Sequence, residues 1–405
     1  MNKLAAVVSV ALAVAMAAPV VAAGPSLSGS LEGKLRWQQG AEPTSGANLK
    51  LNLGFQAGDK TKAVLGLAPS IDGNAWAAGI ERIDVTKAYV ETQGPWWKGG
   101  PAVTTRIGDL DIDYSPYVAK ISSTEGQTRG LSVSGLQVGP FALAGFHAWD
   151  NNAGTSPSKL QNHQATGIRV AGQIAGINLA ATGVMEGERL SGALEGSTQV
   201  LPNVAIGGAL ARDEANRATM YRIGAQVVPV SNLAVIAEYG RVPSQFAPLY
   251  VDGDPNGFVA QTRGQAVVNL GAATEQAGFR LGAGLKMARA ENADQFRRTE
   301  TTFTAARTVA LQGIPVETSY RLTIDGQNKM THEIAGKATL NLIPALQGLT
   351  VDGKVKMADS KMAYGVNAGY TAPNGMQFGL HYDNGDIDGN GTAGLSADAG
   401  LTVSF

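Results

Sequence analysis

Over most of this chain, apolar and polar residues take turns one for one. Leu49, Leu51, Leu53 and Phe55 alternate with Lys50, Asn52, Gly54 and Gln56. Phe279, Leu281, Ala283, Leu285 and Met287 alternate with Arg280, Gly282, Gly284 and Lys286. The same rhythm runs through Val316–Asp325 and Leu349–Met357. Successive side chains of a β-strand point to opposite faces, so a period of two gives each segment one apolar and one polar face. A helix repeats near 3.6 residues and cannot produce this pattern.

About 22 such segments follow one another between residues 26 and 405. That leaves about 17 residues for each strand and its connection, room for strands of about ten residues as a tilted membrane strand requires. A soluble sandwich shows the same alternation, and the length of the run of strands separates the two. The expectation is an all-β chain: a single transmembrane antiparallel β-barrel with an even strand number, best counted as 22 within a range of 18–22. Connections should be long on one rim and short on the other. Gly58-Asp59, Gly139-Pro140, Ala175-Gly176 and Gly313-Ile314 read as tight turns. Segments 70–82, 113–126, 150–163, 241–263, 290–298 and 384–392 read as long outer loops. Two connections break the pattern: 185–188 is short for a loop, and 94–101 is long for a turn.

The first residues read as a secretory signal. Lys3 precedes an apolar run from Leu4 to Ala18, and Val21-Ala22-Ala23 suits cleavage after Ala23. The expected domains are therefore a signal peptide, 1–23, and an outer-membrane β-barrel, 24–405. An uncleaved anchor is the alternative, since about 20 apolar residues can just span a bilayer. Beyond residue 23 no apolar run is long enough for a transmembrane helix. The sequence contains no cysteine, so an exported chain of this kind must be stable without disulfides. With 32 basic and 33 acidic residues, no field invites nucleic acid. Glycine, 52 of 405 residues, is scattered through the alternating segments, where a curving sheet uses it at bends and close contacts. Aromatics make up only 6%, thin for two full girdles.

The chain ends with Leu395, Ala397, Ala399, Leu401, Val403 and Phe405 at every second position. This segment resembles the closing strand of bacterial outer-membrane proteins, and the whole chain resembles the general bacterial porin group in pattern, with no closer member identified. The resemblance implies that Leu401, Val403 and Phe405 form the signal read by the barrel-assembly machinery. It also implies a diderm bacterium, a place in the outer membrane among lipid and lipopolysaccharide, and a homotrimer as many porins form. Alternation begins by Leu27, which leaves no plug segment ahead of the barrel.

In a porin, lumenal charge and an infolded loop set selectivity. Val103, Thr105 and Ile107 face lipid in this reading, which turns Arg106 inward. A register change near Gly108, read as a bulge, would then place Asp109, Asp111 and Asp113 on one face. Three carboxylates on one face require water or cations. With Tyr114, Tyr117 and Lys120 of the third loop they form a candidate mixed-charge constriction; a solvated acidic rim without a selective role is the alternative. Other lumen-facing charges are expected at Lys50, Arg169, Arg222, Arg280, Lys286, Glu317, Arg321, Lys337, Lys354 and Lys356. They lean basic and would favour anions, unless they pair across strands.

Two outer loops carry Asp-x-Asp-x-Asn-Gly: Asp252, Asp254, Asn256 and Asp386, Asp388, Asn390. This spacing opens a calcium loop, but position twelve is Arg263 or Ala397 instead of the bidentate Glu. Calcium is thus a weak expectation beside ordinary turn chemistry, and no other cofactor is expected. Only four His occur (His147, His163, His332, His381), none in a nucleophile or metal pattern, so an enzyme is not expected. The leading function is a water-filled channel for passive diffusion of small polar solutes and ions. The alternative is a structural, surface-organising barrel whose long loops bind a partner.

Overall fold

A computed structural model describes residues 26–40, 44–57, 59–71, 80–121, 128–151, 164–248, 251, 257–341, 347–359, 361–373, 375–384 and 393–404. The first strands are β1 (Ser26–Gln38), β2 (Thr44–Ala57), β3 (Thr61–Ile71), β4 (Ile80–Gly94) and β5 (Val103–Asp109). A short hairpin follows, β6 (Ile112–Ser115) and β7 (Ala119–Ile121). Then come β8 (Thr128–Val138), β9 (Phe141–Asn151), β10 (Ala165–Ile174), β11 (Ile177–Glu186), β12 (Arg189–Leu201), β13 (Val204–Asp213), β14 (Ala218–Val230) and β15 (Leu233–Val242). After a short helix, Phe258–Thr262, the chain continues with β16 (Gln265–Gln276), β17 (Phe279–Ala290), β18 (Arg297–Leu311), β19 (Ile314–Asp325) and β20 (Met330–Leu340). It ends with β21 (Leu349–Ala358), β22 (Lys361–Thr371), β23 (Met376–Asp383) and β24 (Gly394–Ser404).

Leaving out β6 and β7, these strands form one 22-stranded sheet. Each pairs antiparallel with its neighbour in sequence, and β24 returns to β1 with Ser404 opposite Ser30 and Ser396 opposite Gln38. The ring is closed, so the predicted strand count of 22 holds. Closure leaves no unpaired edge, which is what a sheet in lipid needs.

The tight rim shows why the chain reverses where it does. Ala175-Gly176, Ala277-Gly278 and Gln312-Gly313 all have positive φ at both residues. That is the two-residue turn whose twist matches the flanking strands, and its second position favours Gly. The two faces of the sheet differ sharply. Ile168, Leu194, Leu210 and Ile223 stand more than half exposed on the outer face. An apolar belt of this extent belongs against lipid, not water. Trp37 and Trp149 flank it near the long-loop rim and Trp96 and Trp97 near the opposite one, a sparse version of the usual interfacial girdles.

The best-packed part of the molecule lies inside the ring. After β5 the chain leaves the wall, and Leu110, Ile112, Val118, Ala119 and Ile121 are almost completely buried. They pack against Phe146, Val184, Ala193, Ala211, Met220 and Val242. These wall residues share strand faces with inward polar residues, such as Val184 with Asn178 and Met220 with Arg222. The inner face is therefore apolar where the hairpin rests and polar elsewhere.

Two expectations need correction. No bulge occurs at Gly108: β5 keeps its register with β4 up to that residue, where their pairing ends, and with β8 one residue beyond it. Instead Gly108 takes φ +115°, and a Cβ there would lie 2.3 Å from the Ala88 carbonyl oxygen. The register shift falls on the next pair, at Arg129/Gly130 of β8 against β9. The connection 241–263, expected as an outer loop, also turns inward where it is described, at residues 243–248, 251 and 257–264. Phe246 is fully buried in the hairpin's cluster, Phe258 and Val259 pack on it, and Lys120 bridges to Val251. The lumen is thus narrowed by two segments, where none but the third loop was expected.

Candidate functional site: the lumen and its infolded hairpin

The hairpin is held by a ladder of charges where it leaves the wall. Lys87, Tyr89 and Glu91 lie on one face of β4, and Glu91 stands opposite Arg106 of β5. Glu91 receives Lys62 Nζ at 2.8 Å and Arg106 Nη2 at 2.8 Å. Asp111, just past the end of β5, receives Lys87 Nζ at 2.9 Å and Arg106 Nη1 at 3.2 Å. The Arg106 guanidinium also stacks 4.2 Å from the Tyr89 ring centroid, a favourable cation–π geometry.

The three aspartates do not share one strand face. Asp109 is 1% exposed and belongs to the wall: its carboxylate accepts the Ala88 amide at 2.5 Å and Arg129 Nε at 3.3 Å. Asp111 faces the cations described above. Asp113 is exposed on the hairpin, opposite Lys120 in register. Leu110 and Ile112, which alternate with these aspartates, take the buried positions.

Tyr114 and Tyr117 both pack into the hairpin's apolar cluster. Tyr114 packs edge-on against Phe146 at 5.6 Å, and Thr182 Oγ1 reaches its carbonyl at 3.5 Å. Burial pushes the Tyr114 hydroxyl up to about 12, while the Arg169 charge pulls the other way. Tyr117, 6% exposed, edges two cavities. The larger, about 860 Å³, extends along the inner wall and is lined by Arg169, Glu195, Ser197, Arg222 and Glu238 among others. The smaller, about 200 Å³, lies between hairpin and infolded segment, beside Lys120, Phe258 and Arg263.

Around the rest of the ring the inner charges interleave. Arg222 donates to Glu238 through Nε at 2.9 Å. Lys354 pairs with Glu333 at 3.6 Å. Glu317 stands opposite Lys337, and Lys337 opposite Asp352. Arg321 stands opposite Glu333, and Glu333 opposite Lys356. Lys286 stands opposite Glu300 and Asn269; Arg280 opposite Glu275 and Ala306. Among the described residues, Lys50, Arg169, Arg280, Lys286, Arg321, Lys337 and Lys356 make no ion pair within 4.0 Å.

Sequence reasoning passed over Glu91, Lys87 and Lys62, which anchor the hairpin, and Glu195. Their signal was available: each is the charged member of an alternating segment, and Glu91 needed only the β4–β5 register to meet Arg106. Of the closing-strand residues, Leu401 is exposed opposite Gly33 and Val403 pairs with Leu31. Phe405, residues 1–23 and both Asp-x-Asp-x-Asn-Gly motifs, Asp252, Asp254 and Asn256 with Asp386, Asp388 and Asn390, lie outside the described residues.

No protein-family model and no curated protein matches this chain. Among solved structures, a chain of the E. coli P pilus tip assembly intermediate PapC-PapD-PapK-PapG is similar with a TM-score of 0.54 at 10% identity, covering 94% of this chain and 60% of that one. This chain thus spans 60% of the length of that relative. OccK3 (OpdO) of Pseudomonas aeruginosa gives 0.42 at 9% identity over 94% and 96%. The Rh. blastica porin gives 0.31 at 15% identity over 94% and 100%. Likeness at such identities speaks of fold. Together with the closed ring and its apolar outer belt, the P pilus likeness defines the class as a fold: a closed, lipid-belted antiparallel β-barrel of 22 strands.

Proposed function

We propose that this chain is an outer-membrane porin, a water-filled channel for passive diffusion of small polar solutes and ions. One observation carries the reading: a closed ring of 22 strands encloses a charged inner face that its side chains cannot fill. The hairpin 110–121 leans on one side of that ring, its apolar side on the wall and Asp111, Asp113 and Lys120 exposed. Arg106, Asp111, Asp113, Tyr117 and Lys120 then border the constriction, with Asp109 and Tyr114 fixing the hairpin behind it. Among the described residues, unpaired Lys50, Arg169, Arg280, Lys286, Arg321, Lys337 and Lys356 outweigh the unpaired inner acids Glu195, Glu275, Glu300 and Glu317, a slight cationic bias that favours anions. In this reading residues 1–23 direct export and are removed, the barrel occupies 24–405, and the assembly machinery reads Leu401, Val403 and Phe405. Lipid and lipopolysaccharide surround the belt, and three copies associate.

Purified protein in a planar bilayer should give steady unitary current steps, with a reversal potential of anion-selective sign across a salt gradient. A second reading, a structural barrel whose loops bind a partner, draws support from the inward residues Phe246, Val251, Phe258 and Val259, which add to the hairpin's obstruction. It predicts no steady steps.

A further inference from the structure

We propose that the 860 Å³ lumenal cavity beside Tyr117 is a binding subsite for zwitterions of about dipeptide size; the inference rests on the pore reading only for how the solute arrives. The cavity carries charges of both signs that do not satisfy each other. Arg169 of β10 lines it and has no ion pair among the described residues. Glu195 of β12 lines it too, and its Oε1 is shut off from solvent without a hydrogen-bond partner among the described residues. With no cation paired to it among the described residues, the Glu195 carboxylate is stabilised by one brought into the cavity that it lines. Arg222 and Glu238, the other charges in the cavity, already neutralise each other.

The register fixes how far apart the open pair stands. Glu195 pairs with Ala180, and Ala180 with Ala171, two residues along β10 from Arg169. Two strand spacings across and two residues along put their Cα atoms about 12 Å apart. Both side chains enter the same space, so their charged ends can approach a single small molecule but do not meet. A solute with a carboxylate for Arg169 and an ammonium for Glu195, separated by about 5–6 Å as in an extended dipeptide, satisfies both. Gln173, Asn178, Ser197 and Gln226 line the same cavity and supply the donors and acceptors that a peptide group between those ends requires. A simple anion would leave Glu195 unsatisfied and repelled, and a simple cation would do the same to Arg169.

Equilibrium dialysis of the detergent-solubilised full chain with isotope-labelled glycylglycine tests this without relying on conduction. Saturable binding is expected, with N-acetylglycinamide failing to compete. Arg169→Gln and Glu195→Gln should each weaken binding about tenfold, as loss of one charge-assisted contact does, while both variants keep the heat-modifiable mobility of a folded barrel. Absence of saturable binding, equal competition by the neutral analogue, or affinity untouched in both variants would overturn the site. Bilayer recordings of the same preparation judge the pore separately: steps without binding sink only this inference, and binding without steps sinks only the channel.

Discussion

Arg106 holds two carboxylates at once, Glu91 on the neighbouring strand and Asp111 at the root of the infolded hairpin, through separate guanidinium nitrogens. Because Glu91 is nearly buried while Asp111 is 45% exposed on its side chain, the two contacts do different work. The first keeps a charge in the wall satisfied; the second ties the hairpin to that wall and is partly screened by water. Arg106→Ala should therefore destabilise the barrel by about 1–3 kcal/mol, mostly through Glu91, which would keep only Lys62 as its cation. It should also raise current noise by loosening the hairpin root. Thermal unfolding and single-channel recordings read the two effects, and an unchanged noise level would show that Asp111 does not tether.

Gly108→Ala should impair folding far more than its one added methyl implies. The position demands φ +115° and the methyl would meet the Ala88 carbonyl at 2.3 Å. The strand must shift or break, at a penalty of about 3 kcal/mol or more. The yield of heat-modifiable barrel on gels checks this. Full yield would mean that the backbone at Gly108 is not held as described.

Residues 243–248 are tied to the long-loop rim through a carboxylate. Glu291, just beyond β17, accepts the Ser244 amide at 3.2 Å. Hydrogen bonds from Ser244, side chain first and then backbone, hold the carboxyl below its ordinary 4.5, with a smaller contribution from Arg241. A carboxyl lowered in the folded state contributes stability that is full above pH 4.5 and fades as pH falls through the lowered value. Hydrogen exchange at the Ser244 amide should thus be slow at neutral pH and gain an acid-dependent opening only below the ordinary carboxyl value of 4.5. Glu291→Gln should remove that dependence; an identical pH profile in the variant would contradict it.

Removing the Tyr117 ring should widen the passage. It edges both lumenal cavities, so Tyr117→Ala should raise unitary conductance, whereas Tyr117→Phe should leave it near the original. Equal conductance in all three would mean that the hairpin tip does not border the ion path.

The strands were readable because alternation is local: whether Leu194 and Glu195 point opposite ways depends on nothing distant. The placement of the third loop was readable only in outline, through the resemblance to porins, in which that loop folds inward; that Leu110 and Ile112 would seat it on the wall was not. What escaped depends on partners far along the chain. Nothing local to Phe246 says that it will be buried beside Val118, because the ties that bring it there, Asp213 to the Ala247 amide and Glu291 to Ser244, join separate strands. Asp109 looked like a pore residue for a similar reason. Its alternation with Leu110 hides that Gly108 redirects the chain and that Ala88 offers it an unpaired amide.

The two faces of each strand meet different media, lipid outside and water inside, and a chain without native cysteine allows a direct trial. Single cysteines at Leu194 and Ser197, opposite faces of β12, would be probed in reconstituted vesicles with a membrane-impermeant thiol reagent and with a lipid-borne fluorescence quencher. Leu194→Cys should resist the reagent and be quenched from lipid, and Ser197→Cys should react readily and escape quenching. Equal reactivity at both positions, or the reverse assignment, would contradict a lipid-belted, water-filled barrel.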